Sequence, residues 1–119
     1  MPLSEHQIQV QFFAMVDALL PRSQARLIYA VPNGGARHPV VAAKLKAEGV
    51  RKGIPDVNID VPRGSFPGMR IEFKSVKGRV EPHQAEMHDL LREAGYLMEV
   101  HRDAEKAFDS LKKYLNSPT

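Results

Sequence analysis

The sequence predicts an α/β fold, a small mixed β-sheet flanked by helices, and three observations carry that reading. Apolar residues recur at helical spacing toward both ends of the chain, two central stretches alternate polar and apolar residues with period two, and turn residues punctuate the boundaries between them. Read in order, the elements run α-β-α-β-β-α-β-α and fill a single domain over residues 1–119.

Ser4 and Gln7 have the spacing of a capping box, and Ile8, Phe12, Val16 and Leu19 then recur helically until Pro21 ends the run. Residues 27–31 suit a short strand, which the turn Pro32-Asn33-Gly34-Gly35 closes because glycine and asparagine tolerate positive φ. Pro39 fits the first position of a second helix over residues 40–48, and Gly49 fits its left-handed C-terminal cap. Alternation over residues 56–61 marks a half-buried strand, with a turn or hairpin loop over residues 62–68. The strand over residues 69–76 sets Arg70, Glu72, Lys74 and Val76 on one face. Ile71, Phe73 and Ser75 take the other, apolar face, which is expected to meet a helix. Pro82 opens a helix whose stripe includes Ala85, Leu90, Leu91 and Ala94; Gly95 ends it and a strand over residues 96–101 follows. Asp103 caps a last helix in which Ala104, Ala107, Phe108, Leu111 and Leu115 recur.

Hydrophobic residues make up 43% of the chain and charged residues 26%, a balance that points to an ordered globule and away from a disordered tail. No apolar stretch approaches the roughly 20 residues that span a bilayer, and the N-terminal residues carry no basic and apolar leader pattern, so a cytoplasmic protein without a membrane partner is expected. With no cysteine, disulfides and thiolate metal sites are excluded, and any metal must be held by oxygen or imidazole. That favours a hard cation such as Mg²⁺ or Mn²⁺. His83 and His88 miss the i, i+4 spacing of a helical zinc pair, and His6, His38 and His101 are scattered; His38, just before a helix-opening proline, reads as a turn or capping residue. The net charge of +3 is compatible with a polyanionic partner without requiring one. Its distribution says more: Arg37, Lys44, Lys46, Arg51 and Lys52 form one basic run and Arg70, Lys74, Lys77 and Arg79 another, on either side of an acidic pair.

That pair is Asp56, in Gly53-Ile54-Pro55-Asp56, and Glu72, in Ile71-Glu72-Phe73-Lys74 one short hairpin later. A carboxylate at a strand start and a Glu and Lys two apart on the next strand can converge at one sheet end, because i and i+2 share a face. Two such carboxylates repel each other, and a divalent cation removes the repulsion. Hydrolysis of a phosphodiester needs an activated water, charge stabilisation and help for the leaving oxygen, which a carboxylate-bound Mg²⁺ supplies together with a lysine beside the attacking water. An E-x-K pair alone also fits a solvated strand face; the Pro-Asp turn at hairpin distance narrows the choice.

The longer wording narrows it further. Gly49-Val50-Arg51-Lys52-Gly53-Ile54-Pro55-Asp56, Arg70-Ile71-Glu72-Phe73-Lys74-Ser75 and Lys77-Gly78-Arg79-Val80 resemble the VRR-NUC family of PD-(D/E)xK nucleases, as do residues 29–35 and Pro82-His83-Gln84. The resemblance covers nearly the whole chain, and it implies a restriction-endonuclease-like core. It also implies that Asp56 and Glu72 are metal ligands, that the Phe73 main-chain carbonyl is a third, that Lys74 is the catalytic lysine and that Gln84 assists near it. Glu5 resembles the acid that completes the metal site in many relatives, although an acid in a first helical turn equally serves the helix dipole. Arg51, Lys52, Arg37 and Lys77 are candidates for DNA contact, with solvated loop charge as the alternative. The Asn33-Gly34-Gly35 turn either lets the backbone approach DNA or is a plain tight turn.

The expected activity is therefore a Mg²⁺- or Mn²⁺-dependent DNA endonuclease. By the same resemblance its expected substrate is branched DNA such as Holliday junctions, with a flap, a nick or unstructured DNA equally open because no residue here selects a branch, and its expected assembly is a homodimer like stand-alone phage or bacterial members, since a two-fold dimer presents paired sites to paired strands. Competing readings are a restriction-like endonuclease specific for a short sequence, a nucleic-acid-binding module without catalysis, and an unrelated α/β interaction domain.

Overall fold

In a computed structural model, which describes residues 2–32 and 38–119, helix α1 spans Glu5–Leu19 and begins at the expected capping box. The Gln7 amide donates to Ser4 Oγ at 3.1 Å, and the Ser4 amide donates to Gln7 Oε1 at 2.8 Å. One turn of helix, α2 (Arg22–Ala25), follows Pro21. The sequence reading omitted it, because four residues are too few to show a helical period. Strand β1 (Ile28–Ala30), helix α3 (Pro39–Ala47), strands β2 (Val57–Ile59) and β3 (Met69–Phe73), helix α4 (Pro82–Glu93), strand β4 (Leu97–His101) and helix α5 (Ala104–Leu115) complete the expected order. His38 Nδ1 accepts from the Val40 amide at the start of α3, the capping role expected of it. The Asn33-Gly34-Gly35 turn and Arg37 lie outside the described residues.

The strands form one mixed sheet in the order β1-β2-β3-β4. The first two pairings are antiparallel, and β3 and β4 run parallel across the α4 crossover. Register puts Val57 opposite Ile71 and Ile59 opposite Met69, so these four side chains share one face with Phe73. Helices α1 and α5 cover that face, as expected for the apolar side of β3. Phe12 of α1, fully buried, packs its ring 5.2 Å from that of Phe73 and 6.5 Å from that of Phe108 of α5.

The opposite face of β3 is covered by α4, and here the expected stripe is corrected. Gln84, Met87, His88 and Leu91 are the partly or fully buried residues of α4, whereas Ala85, Leu90 and Ala94 are exposed. Only Leu91 belongs to both sets. An apolar stripe was the wrong template because the strand face beneath carries Glu72 and Lys74, which call for polar partners. Strand β3 also ends at Phe73, three residues before its expected end. Beyond it the Arg102 guanidinium donates to the carbonyls of Ser75 and Gly78, both at 2.6 Å, occupying acceptors that a neighbouring strand would otherwise take.

Replacing Phe12 with alanine should destabilise the protein by about 3–5 kcal/mol in chemical denaturation, while Leu90→Ala, at a position 52% exposed, should stay within about 0.5 kcal/mol. Comparable losses at both positions would contradict the inward face assigned to α4.

Candidate catalytic cleft

Asp56 precedes β2 at the point where the backbone leaves the loop after α3. Two residues fix that approach. Gly53 has φ +80°, and a Cβ there would lie 2.5 Å from the His83 main-chain oxygen, so the first turn of α4 rests directly on the glycine backbone. Pro55 is fully buried, and continuing the antiparallel register sets it opposite Phe73. A proline has no N–H to give the Phe73 carbonyl. The Phe73 amide in turn donates to Asp56 Oδ2 at 2.7 Å, so the Asp56 carboxylate stands where the next ladder bond would have been.

Glu72 and Lys74 lie beside it, beneath α4, at 2% and 6% exposure. Lys74 Nζ donates to Gln84 Oε1 at 2.7 Å, and the same oxygen accepts from the Glu81 amide at 2.9 Å, so the helix start holds the glutamine that holds the lysine. Gln84 is thus partly buried against Lys74 and is not an exposed helix amide. Burial first, and the neighbouring Asp56 second, push the Glu72 carboxyl up to about 8, with Lys74 offsetting only part of the rise. Glu72 Oε1 is buried and has no hydrogen-bond partner. A carboxylate so placed is a poor home for bare charge and a good one for a cation.

An open cleft of about 850 Å³ lies over this group. Asp56, Glu72 and Gln84 line it, and so does Glu5, reaching in from the first turn of α1. Arg51 and Lys52 lie on its rim together with Lys46 of α3. Of the other basic candidates, Lys77 is exposed on the turn after β3 and is not among the lining residues. Among the described residues no group of three or more His, Cys, Asp or Glu side chains is arranged to hold a metal ion. A cation held by the two carboxylates would have to draw its other ligands from main-chain or water oxygens, a hard donor set.

Three contributors escaped the sequence reading. His88 was weighed only as a zinc ligand, yet it is buried beside Glu72; its signal was the spacing Gln84, Met87, His88, Leu91. Arg102 fixes the turn after Lys74 from 24 to 27 residues away, and no local pattern signals it. Lys46 was read only as one of a basic run, and its place on the cleft rim follows from the way α3 turns back toward Asp56.

The model of the VRR-NUC domain family matches residues 5–104. No curated protein matches the chain. Among solved structures, one described as a VRR_NUC domain protein superposes with a TM-score of 0.82 at 26% sequence identity, covering 97% of this chain and 90% of that one.

Two outcomes follow from the geometry. In the absence of divalent cations, folded Glu72 keeps its proton between pH 4.5 and about 8 while the unfolded chain releases it. Stability should therefore fall as pH rises through that window and level off above it. Glu72→Gln should flatten that slope in denaturation curves, and an unchanged slope would count against the raised carboxyl. Gly49 has φ +100° with open space around it, so Gly49→Ala should destabilise by about 1–2 kcal/mol, and Gly53→Ala, which meets the His83 carbonyl, by more than that. Equal losses would show that the contact yields.

Proposed function

This chain belongs to the VRR-NUC domain family, whose function is of the nuclease type, and we propose that it is a divalent-cation-dependent DNA endonuclease acting through Asp56, Glu72 and Lys74. One observation supports this most. Asp56 and Glu72 line an open cleft, Lys74 is buried two residues from Glu72 on the same strand face and bonded to the cleft-lining Gln84, and one Glu72 oxygen is buried and unpartnered. A binding module gains nothing from two acids facing a phosphate backbone, because they repel it.

In this reading Asp56, Glu72 and the Phe73 main-chain carbonyl hold Mg²⁺ or Mn²⁺, with Glu5 as a further acid on the same cleft. When bound, the cation supplies charge neutralisation for the two acids and Lewis acidity toward the scissile phosphate. The chain's own groups do the rest. Asp56 is oriented by the Phe73 amide, so its carboxylate is aimed without searching rotamers. Lys74 brings a buried positive charge to the oxygens on which negative charge develops and donates a hydrogen bond toward the attacking water. Gln84 holds the ammonium by accepting one of its protons, which leaves the others for water and phosphate. Arg51, Lys52 and Lys46 on the cleft rim would engage phosphates on either side of the cut. Lys77, exposed on the turn after β3, is a further candidate for phosphate contact, and Arg37 remains one from the sequence alone.

The substrate in this reading is DNA, with branched forms such as Holliday junctions cut by a homodimer. That part is supported by the resemblance of residues 49–56, 70–75 and 77–80 to the family's motifs.

The test is cleavage of labelled linear duplex, single strand, flap, fork and four-way junction with Mg²⁺, Mn²⁺ or chelator. Cutting is expected with either cation and none in chelator; persistent cutting in chelator would overturn the cation's role. Lys74→Ala and Glu72→Ala should fold normally and lose at least about 100-fold in rate, and Asp56→Ala should also weaken cation binding. Normal turnover by all three variants would defeat the assignment.

A further inference from the structure

Glu72 Oε1 and His88 Nε2 are both buried and have no hydrogen-bond partner, and they face each other across 3.7 Å. Leaving a buried polar atom unsatisfied destabilises a protein, so a facing pair of them asks for a purpose. His88 has no part in the reaction outlined above and does not line the cleft; it is buried beside Glu72.

Its place in α4 is set by a coincidence of repeats. Gln84 and His88 are four apart, which separates them along the helix by about 6 Å, and Glu72 and Lys74 are two apart on an extended chain, which separates them by about 6.6 Å. The two spacings match, so one helix face meets both charged residues: Gln84 Oε1 takes Lys74 Nζ at 2.7 Å, and His88 Nε2 faces Glu72. Oε1 is the Glu72 oxygen nearest His88, and the neighbouring Asp56 carboxylate also acts on Glu72. A neutral ring has a single N–H, and a carboxylate opposite Nε2 selects the tautomer that carries it there.

We propose that His88 is a positioning residue for Glu72, its Nε2–H donating to Oε1 so that the carboxylate presents its other oxygen to a cation in the cleft. A small rotation of either side chain brings 3.7 Å to hydrogen-bonding distance. The proposal rests on the cation reading of the site, and a donor behind a ligating carboxylate fixes its orientation and typically carries about 10- to 100-fold in metal affinity.

Calorimetric titration of the purified protein with Mn²⁺ tests it without substrate. His88→Leu, which fills the space without a donor, should weaken Mn²⁺ binding by about 10-fold or more, and His88→Gln, which returns an N–H near the Nε2 position, should recover most of that loss. Unchanged affinity in His88→Leu overturns the proposal, and so does equal weakening in both variants, which would mark a packing role. A wild-type protein that binds no Mn²⁺ overturns the cation reading, and this inference with it. Nitrogen chemical shifts of His88 in the Mg²⁺-saturated wild-type protein give a reading that needs no variant to fold. The Nε2-protonated tautomer is expected, and the Nδ1-protonated tautomer overturns the proposal.

Discussion

The burial of Glu72 and Lys74 beneath α4 is the constraint on which the rest of the site depends. Charged side chains at 2% and 6% exposure need partners that water no longer provides. Lys74 finds one in Gln84. Glu72 finds only part of what it needs, and its carboxyl is pushed up to about 8 in consequence. The inward face of α4 is polar for this reason. Its amide and imidazole stand where an ordinary amphipathic helix would place leucine.

The same constraint organises the other face of the sheet. Glu72 can be held in place only if β3 is immobile, and β3 is pinned from the far side by Ile71 and Phe73 in the core shared with α1 and α5. Backbone chemistry then brings Asp56 to the spot. Gly53 lets α4 close on the loop, Pro55 leaves the ladder without its next amide, and the Phe73 N–H turns to the aspartate instead. Stability and site geometry thus share residues, as in pre-organised sites, where the supporting contacts fix the reacting groups before any ligand arrives.

Helix α3 contrasts with the rest. It buries no residue, and Val40 and Val41 are exposed on it, yet Ala42, Leu45 and Lys46 form one wall of the cleft. A helix that buries none of its residues contributes little to the core and serves as a wall over the more deeply buried floor.

The sequence alone determined much of this protein. The capping box at Ser4, the period of α1 and α5, the alternation in β2 and β3 and the glycine after α3 are local signals, and local geometry obeys them. The grouping of Asp56, Glu72 and Lys74 was legible too, because a hairpin must bring its strands together and alternate residues must share a face. Tertiary structure decided which face of α4 turns inward, how far β3 extends, that Glu5 reaches the cleft, and that Arg102 and His88 support the site. Each of those depends on what lies across a packing interface, and a residue's partner there is set by the positions of other elements. A period in the sequence shows which side chains share a face, but only the assembled fold shows what that face must satisfy.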